Sequence, residues 1–285
     1  MAVAEFKEAI QLLARSPVLW IPGLVAGACA ALIWVMLMLS GLFFAARLLV
    51  IAGLVILLFV AGMLAAVKEN TTGLAALVRG GVRQFFRVLL PMLVIIFSIL
   101  IVFFLLAATL ALIGLGADSA ILGGTIFGIA IPVIIFTFFF DTAAVFEDRP
   151  VFASIKRSIE LVSTRFAEVI AYFVISAMAA FCIIFPLMIL WEGLLFDKLE
   201  PLTRYTEAQI QAITPDQLIA LLGPDSTGIT AAVLFLAGFL LVPVLYCYKA
   251  CFFRNLAAGS AGSTITIEQQ PVSGEYDSKG RWYKY

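Results

Sequence analysis

The chain has 285 residues, 64% hydrophobic and 13% charged, with 18 basic against 18 acidic side chains and a mean hydropathy of +1.13. Soluble domains are about half apolar and about a quarter charged, so this apolar excess is not one that a water-soluble core can hide. Zero net charge argues against a nucleic-acid binder, and the absence of histidine argues against metal centres and imidazole-based catalysis.

In chain order, residues 1–15 spread Glu5, Lys7, Glu8 and Arg15 through the segment. A cleavable signal has a basic start followed by an apolar run, so the first long apolar stretch is expected to stay as an anchor. Phe6, Ala9, Ile10 and Leu13 fall at i, i+3, i+4 and i+7, which predicts an amphipathic helix lying in the membrane interface. Spans are expected at about 18–44 and 48–67, with Arg47 between them, because about 20 apolar residues cross a bilayer core as a helix. A second interfacial helix is predicted before span three, its apolar face opened by Leu74, Leu77 and Val78 and rejoined by Phe85. On it, Arg79, Arg83 and Arg87 recur every four residues and form one stripe. Against anionic lipid each is worth on the order of 1 kcal/mol; the plainer role is to enforce topology.

Spans three and four are expected at about 89–115 and 121–140, with Pro132 inside the latter and Asp141 just after Phe138-Phe139-Phe140. A third interfacial helix follows, with Phe152, Ile155, Ile159, Val162 and Phe166 in a helical stripe and Lys156 and Arg157 beside it as further headgroup contacts. Span five (166–191) carries Glu168 one turn in and Pro186 further along; span six (228–248) carries Pro243. Between them lies a polar insert, 192–227. Thr206 with Gln209, and Thr214 with Pro215 and Gln217, read as capping boxes for two short helices, 207–213 and 215–222, with Gly223 as the stop and Leu218, Ile219 and Leu222 packing down. The membrane domain is thus 1–256, and 257–285 is expected to be a flexible tail.

The architecture expected is an all-α membrane bundle: six spans in a threefold repeat of amphipathic helix plus hairpin. Placing 15 of the 18 basic residues on one side puts both termini in the cytoplasm of a plasma membrane. Asp141, Arg47 and Glu168 are the candidates for an intramembrane polar site, each close enough to a span end to reach the interface. Pro132, Pro186 and Pro243 are expected to kink their helices, as in transporters with broken spans. The cysteines Cys29, Cys182, Cys247 and Cys251 read as small hydrophobes. No phosphate loop, dinucleotide fingerprint, zinc motif or nucleophile elbow is present. The expectation is therefore a protein without enzymatic activity, metal or cofactor, which organises lipids or a partner membrane protein. The alternative is a channel or transporter for a small or lipid-like substrate.

The stretch Val145-Phe146-Glu147-Asp148-Arg149-Pro150, followed by Ala153, Lys156-Arg157-Ser158 and Leu161, resembles prokaryotic membrane domains related to the membrane region of glycerophosphoryl diester phosphodiesterases. The segment 6–22, with Ala9, Leu13, Ser16-Pro17 and Pro22, is similar to their opening. The resemblance implies architecture only, since the catalytic barrel of that enzyme is absent.

Overall fold

The computed structural model describes residues 2–71, 73–112, 119–200, 215–263, 274–276 and 282–284. Among them the fold is carried by α1 (Ala2–Arg15), α2 (Ile21–Glu69), α3 (Leu74–Leu112), α4 (Ser119–Thr137), α5 (Phe140–Phe146), α6 (Val151–Thr164), α7 (Phe166–Leu194), α8 (Phe196–Leu199) and α9 (Pro215–Ser263). A 3₁₀ turn, Pro17–Trp20, joins α1 to α2. Near the C-terminus, Gly274–Tyr276 pairs antiparallel with Trp282–Lys284. Five stretches are long and apolar enough to cross a membrane: Pro17–Glu69, Leu74–Leu112, Phe127–Phe146, Phe166–Leu194 and Asp225–Ala258.

The 49 residues of α2 would extend on the order of 70 Å if straight, at 1.5 Å per residue. They are interrupted at Gly41, whose φ of 75° and ψ of −179° only glycine adopts freely. Leu19, just before α2, and Leu64 and Val67, near its end, share one buried cluster. The chain therefore doubles back at Gly41, earlier than the 45–47 turn expected from sequence. Arg47 falls in the returning arm, exposed, with its guanidinium 3.9 Å from the Phe43 ring centroid. Gly223 (φ 73°) interrupts α9 in the same way and closes a helical stretch over 215–222, as its expected role as a stop requires. The expected helix at 207–213 lies outside the described residues, as do the side chains of Leu218, Ile219 and Leu222.

Packing is densest at one end of the bundle, where α1, α5 and α6 meet the ends of α2, α3, α7 and α9. Phe139 stacks on Phe252 and Tyr172 on Tyr248, with centroids 5.8 and 4.7 Å apart. Toward the other end α7 presents Phe181, Phe185 and Met188 outward.

Helix crossings here rest on small residues. Gly23 and Gly27 of α2 face Phe239 and Phe235 of α9, and a Cβ on Gly238 would stand 2.8 Å from the Gly27 backbone. Gly62 of α2 lies against the Leu77 carbonyl of α3, and a Cβ on Gly81 would come to 2.5 Å from the Leu58 oxygen. Between apolar helices in lipid there is no hydrophobic gain from association, so close backbone approach through small residues supplies the attraction.

Several expectations are corrected. The expected stripe leaves its larger members facing outward, with Phe152 75% exposed and Ile159 of α6 and Phe166 of α7 also exposed, while Ser154, Ser158, Leu161 and Val162 pack inward. Of the expected stripe only Val162 is buried, because in lipid the larger apolar side chains are at home outside. Ser158 accepts from the Phe139 N–H (3.0 Å) and donates to the Phe136 carbonyl (2.9 Å), satisfying the backbone at the break between α4 and α5.

The expected loop start at Asp141 is instead α5, in which Asp141 to Val145 are all buried. The helix expected to end at 248 continues as α9 through Ser263, with Lys249 to Phe253 buried. In α1, Ala9 and Leu13 pack into the core with Ala2 and Glu5 rather than into lipid, whereas Ile10 is exposed. Tyr248 donates to the Ala2 carbonyl (3.0 Å) and Arg254 pairs with Glu8, which fixes α1 to α9. Pro132, Pro186 and Pro243 lie inside α4, α7 and α9, and the backbone leaves helical φ/ψ within α2 and α9 at Gly41 and Gly223. The ring of Pro243 packs against Gly23, so this proline serves the α2–α9 crossing.

Candidate functional site

A buried ion pair lies in the core of the dense end. Lys249 Nζ stands 2.7 and 2.8 Å from the two Asp141 oxygens, and both side chains are less than a tenth exposed. The Thr142 N–H donates to Asp141 Oδ1 at 2.7 Å, and the ammonium sits 4.1 Å from the Phe138 ring centroid. Both charges are thus partnered twice, which is what burial of an ion pair demands. Asp141 was legible as a polar candidate, but its partner was not. The available signal was a lone lysine inside the apolar run Tyr246-Cys247-Tyr248-Lys249-Ala250-Cys251-Phe252-Phe253. The other candidates stand apart from this pair: Glu168 accepts from Arg165 at 2.8 Å at the start of α7, and Arg47 sits in α2.

A second group of charges ties the ends of α2, α3 and α5 together. Lys68 donates to Asp148 and to the Val145 carbonyl (2.8 Å), and Arg87 holds the other Asp148 oxygen at 2.5 Å. The hydrogen bond from Lys68 holds the Asp148 carboxyl below its ordinary value of 3.8, with the nearby Arg87 charge adding to it. A depressed carboxylate contributes stability above its unfolded value and loses it as pH falls through the folded one. The gap in apparent unfolding temperature between the protein and Asp148→Asn is therefore expected to stay constant from neutral pH down to about 4 and to close only below that. A gap that closes between about pH 7 and 5 would show that Asp148 is not the group responsible.

The arginine stripe divides. Arg83 pairs with Glu69 and Arg87 with Asp148, while Arg79 is exposed and has no ion pair among the described residues. Arg157 is held at 3.0 Å by Glu147, which also pairs with Arg149; Lys156 is exposed and reaches Glu160 only at 3.7 Å. Three exposed cations follow one pattern, one on each of three helices. Val3–Lys7–Ile10 on α1, Ala75–Arg79–Val82 on α3 and Phe152–Lys156–Ile159 on α6 each set a cation between exposed apolar side chains at i, i+4 and i+7. The sequence reading had Arg79 and Lys156 as headgroup contacts but did not single out Lys7 or the shared spacing.

Beside it, Phe86 and Leu90 of α3 and Pro150 and Val151 at the start of α6 line a hollow of about 270 Å³, with Arg87, Asp148 and Arg149 at its polar side. Among the described residues no group of three or more histidine, cysteine or acidic side chains is arranged to hold a metal ion.

Residues 1–256 match the model of one family, described as a domain of unknown function (DUF7847). No curated protein and no solved structure matches the chain.

Proposed function

We propose that the chain, which belongs to the family described as a domain of unknown function (DUF7847), is a polytopic membrane protein without enzymatic activity that gathers anionic lipid around its dense end. On this reading the membrane is crossed six times, Pro17–Glu69 accounting for two crossings on either side of Gly41. The dense end faces the cytoplasm of a plasma membrane, with both termini on that side. The likeness to phosphodiesterase membrane regions belongs to this reading as architecture alone.

The observation that carries the proposal is the repeated triplet on α1, α3 and α6. A cation flanked on one exposed helix face by apolar side chains suits the depth where acyl chains give way to phosphate: the apolar groups enter the bilayer and the charged head reaches out to the phosphates. Substituting Arg79 and Lys156 by Gln removes two such cations without touching the paired Arg83, Arg87 or Arg157. At about 1 kcal/mol each, anionic lipid retained in mixed-lipid nanodiscs is expected to fall on the order of tenfold. Retention equal to that of the unaltered protein would sink the proposal.

The alternative, a channel or transporter for a small or lipid-like substrate, is favoured by the buried Asp141–Lys249 pair, since charge inside a helical bundle is an ordinary mark of a solute path. Its test is solute flux in a doubly neutralised variant, taken up below.

A further inference from the structure

A second lipid contact is built differently. Between α1, α7 and α9 runs a groove of about 590 Å³ whose walls include Val3, Phe6 and Ile10 from α1, Met178 and Cys182 from α7, and Leu240 from α9. Its lining is apolar apart from the Cys182 thiol. Met178 lies 12 residues into α7, on the order of 18 Å along the helix axis, so the groove reaches well into the hydrocarbon depth. One end is closed by α1, fixed in place through Tyr248 and Ala2 and through Arg254 and Glu8. On that closing helix Lys7 is exposed, one turn from Val3 and three residues from Ile10, with no ion pair among the described residues. The neighbouring carboxylate of Glu8 is already taken by Arg254.

We propose that this groove holds one acyl chain of an anionic glycerophospholipid whose phosphate rests on the Lys7 ammonium. The proposal rests on the lipid-gathering reading and deepens it, from a collar of headgroups to one seated lipid. A helix from a second protein is the rival occupant, and the lining argues against it. Helices associate in lipid through close backbone approach at small residues, as at Gly23, Gly27 and Gly238 in this same bundle. Here Ala179 and Cys182 lie between the larger Phe6, Ile175, Met178 and Ile183, which hold a neighbouring backbone away but leave room for a flexible chain. Lys7, exposed on α1 between the lining residues Val3 and Ile10, supplies the charge complement that a phosphodiester needs and an apolar helix does not.

The test uses the full chain in nanodiscs of phosphatidylglycerol and phosphatidylcholine in equal parts, with a trace of phosphatidylglycerol carrying a photoactivatable group at mid-chain. Illumination and peptide mass spectrometry are expected to place cross-links on Met178, Cys182 and Leu240. Ala179→Trp and, separately, Cys182→Phe fill the groove from half-buried and exposed positions, so neither disturbs the core. Each is expected to cut groove cross-linking at Leu240 at least tenfold. Lys7→Gln is expected to lower the yield from phosphatidylglycerol several-fold while leaving a phosphatidylcholine probe unaffected.

Cross-links spread evenly over the outer faces of α3 and α7, or unmoved by both filling variants, would overturn the proposal. So would a covalent dimer that Ala179→Trp abolishes, which would give the groove to a second copy. The Arg79→Gln/Lys156→Gln protein separates this result from the reading beneath it. If it retains anionic lipid normally while groove cross-linking depends on Ala179 and Lys7, the collar fails and the seated lipid stands. The converse pattern retains the collar and removes the groove.

Discussion

Asp141→Asn is expected to destabilise the protein by about 3–5 kcal/mol, because it leaves the Lys249 ammonium charged and buried without its counter-charge. For a chain of this size that lowers the apparent unfolding midpoint by on the order of 10 °C, measurable by intrinsic fluorescence in detergent at a fixed heating rate. Lys249→Met is expected to cost a similar amount, since it strands the carboxylate instead. The double variant decides what the pair is for. Removing both charges together removes both desolvation costs, and an apolar replacement of a buried pair is often neutral. Asp141→Asn/Lys249→Met is therefore expected to recover most of the lost stability. Recovery with unchanged lipid retention and no change in solute flux makes the pair a device of the fold. Recovery with flux abolished makes it part of a solute path and revives the transporter reading. A double variant as unstable as the sum of the singles contradicts the ion-pair account itself.

The second large effect is expected at the α2–α3 crossing. Gly62 lies so close to the Leu77 carbonyl that any Cβ would overlap it, and Gly81 faces the Leu58 oxygen from the other helix. Gly62→Val must push the two backbones apart. Overpacking ordinarily costs about 1–3 kcal/mol, and here it also removes the close packing on which helix association in lipid depends. The added apolar surface brings no compensation, because lipid solvates it equally well. Gly53 in the same α2 has nothing within 4 Å of its would-be Cβ. Gly53→Ala is thus expected to be neutral or stabilising by about 0.5–1 kcal/mol. If both substitutions shift the unfolding midpoint alike, the crossing is not what the glycine protects.

Much of the architecture was legible because hydropathy and helical period are local. The apolar runs predicted helices where helices stand, Gly223 marked the end of a helical stretch, and the spacing around 151–164 announced α6. What misled the reading was the assumption that an apolar stripe faces protein or lipid by a rule fixed in advance. α1 sends Ala9 and Leu13 into protein and leaves Ile10 outside; α6 turns Phe152 and Ile159 out and its serines in. The same period serves both cases, since in a bilayer either side of a helix is a comfortable place for a large hydrocarbon. Small and hydroxyl-bearing residues carry the better signal for what packs against neighbouring helices.

Arginines at 79, 83 and 87 show the same limit for charge. Their spacing placed them on one face, but which of them stay available for lipid depended on Glu69 and Asp148, brought in from elsewhere. Lys249 and Asp141 lie 108 positions apart in the chain. No spacing rule connects them; only the packing of α5 against α9 does.

The sequence by itself determined that the chain is helical and carries helices long and apolar enough to cross a membrane, because both follow from composition and period along the chain. The tertiary structure decided where the backbone doubles back, which faces of α1 and α6 meet protein, which charges are paired and where a groove remains open. Those depend on close approach between segments far apart in sequence, where a single absent Cβ or one partnered carboxylate sets the outcome.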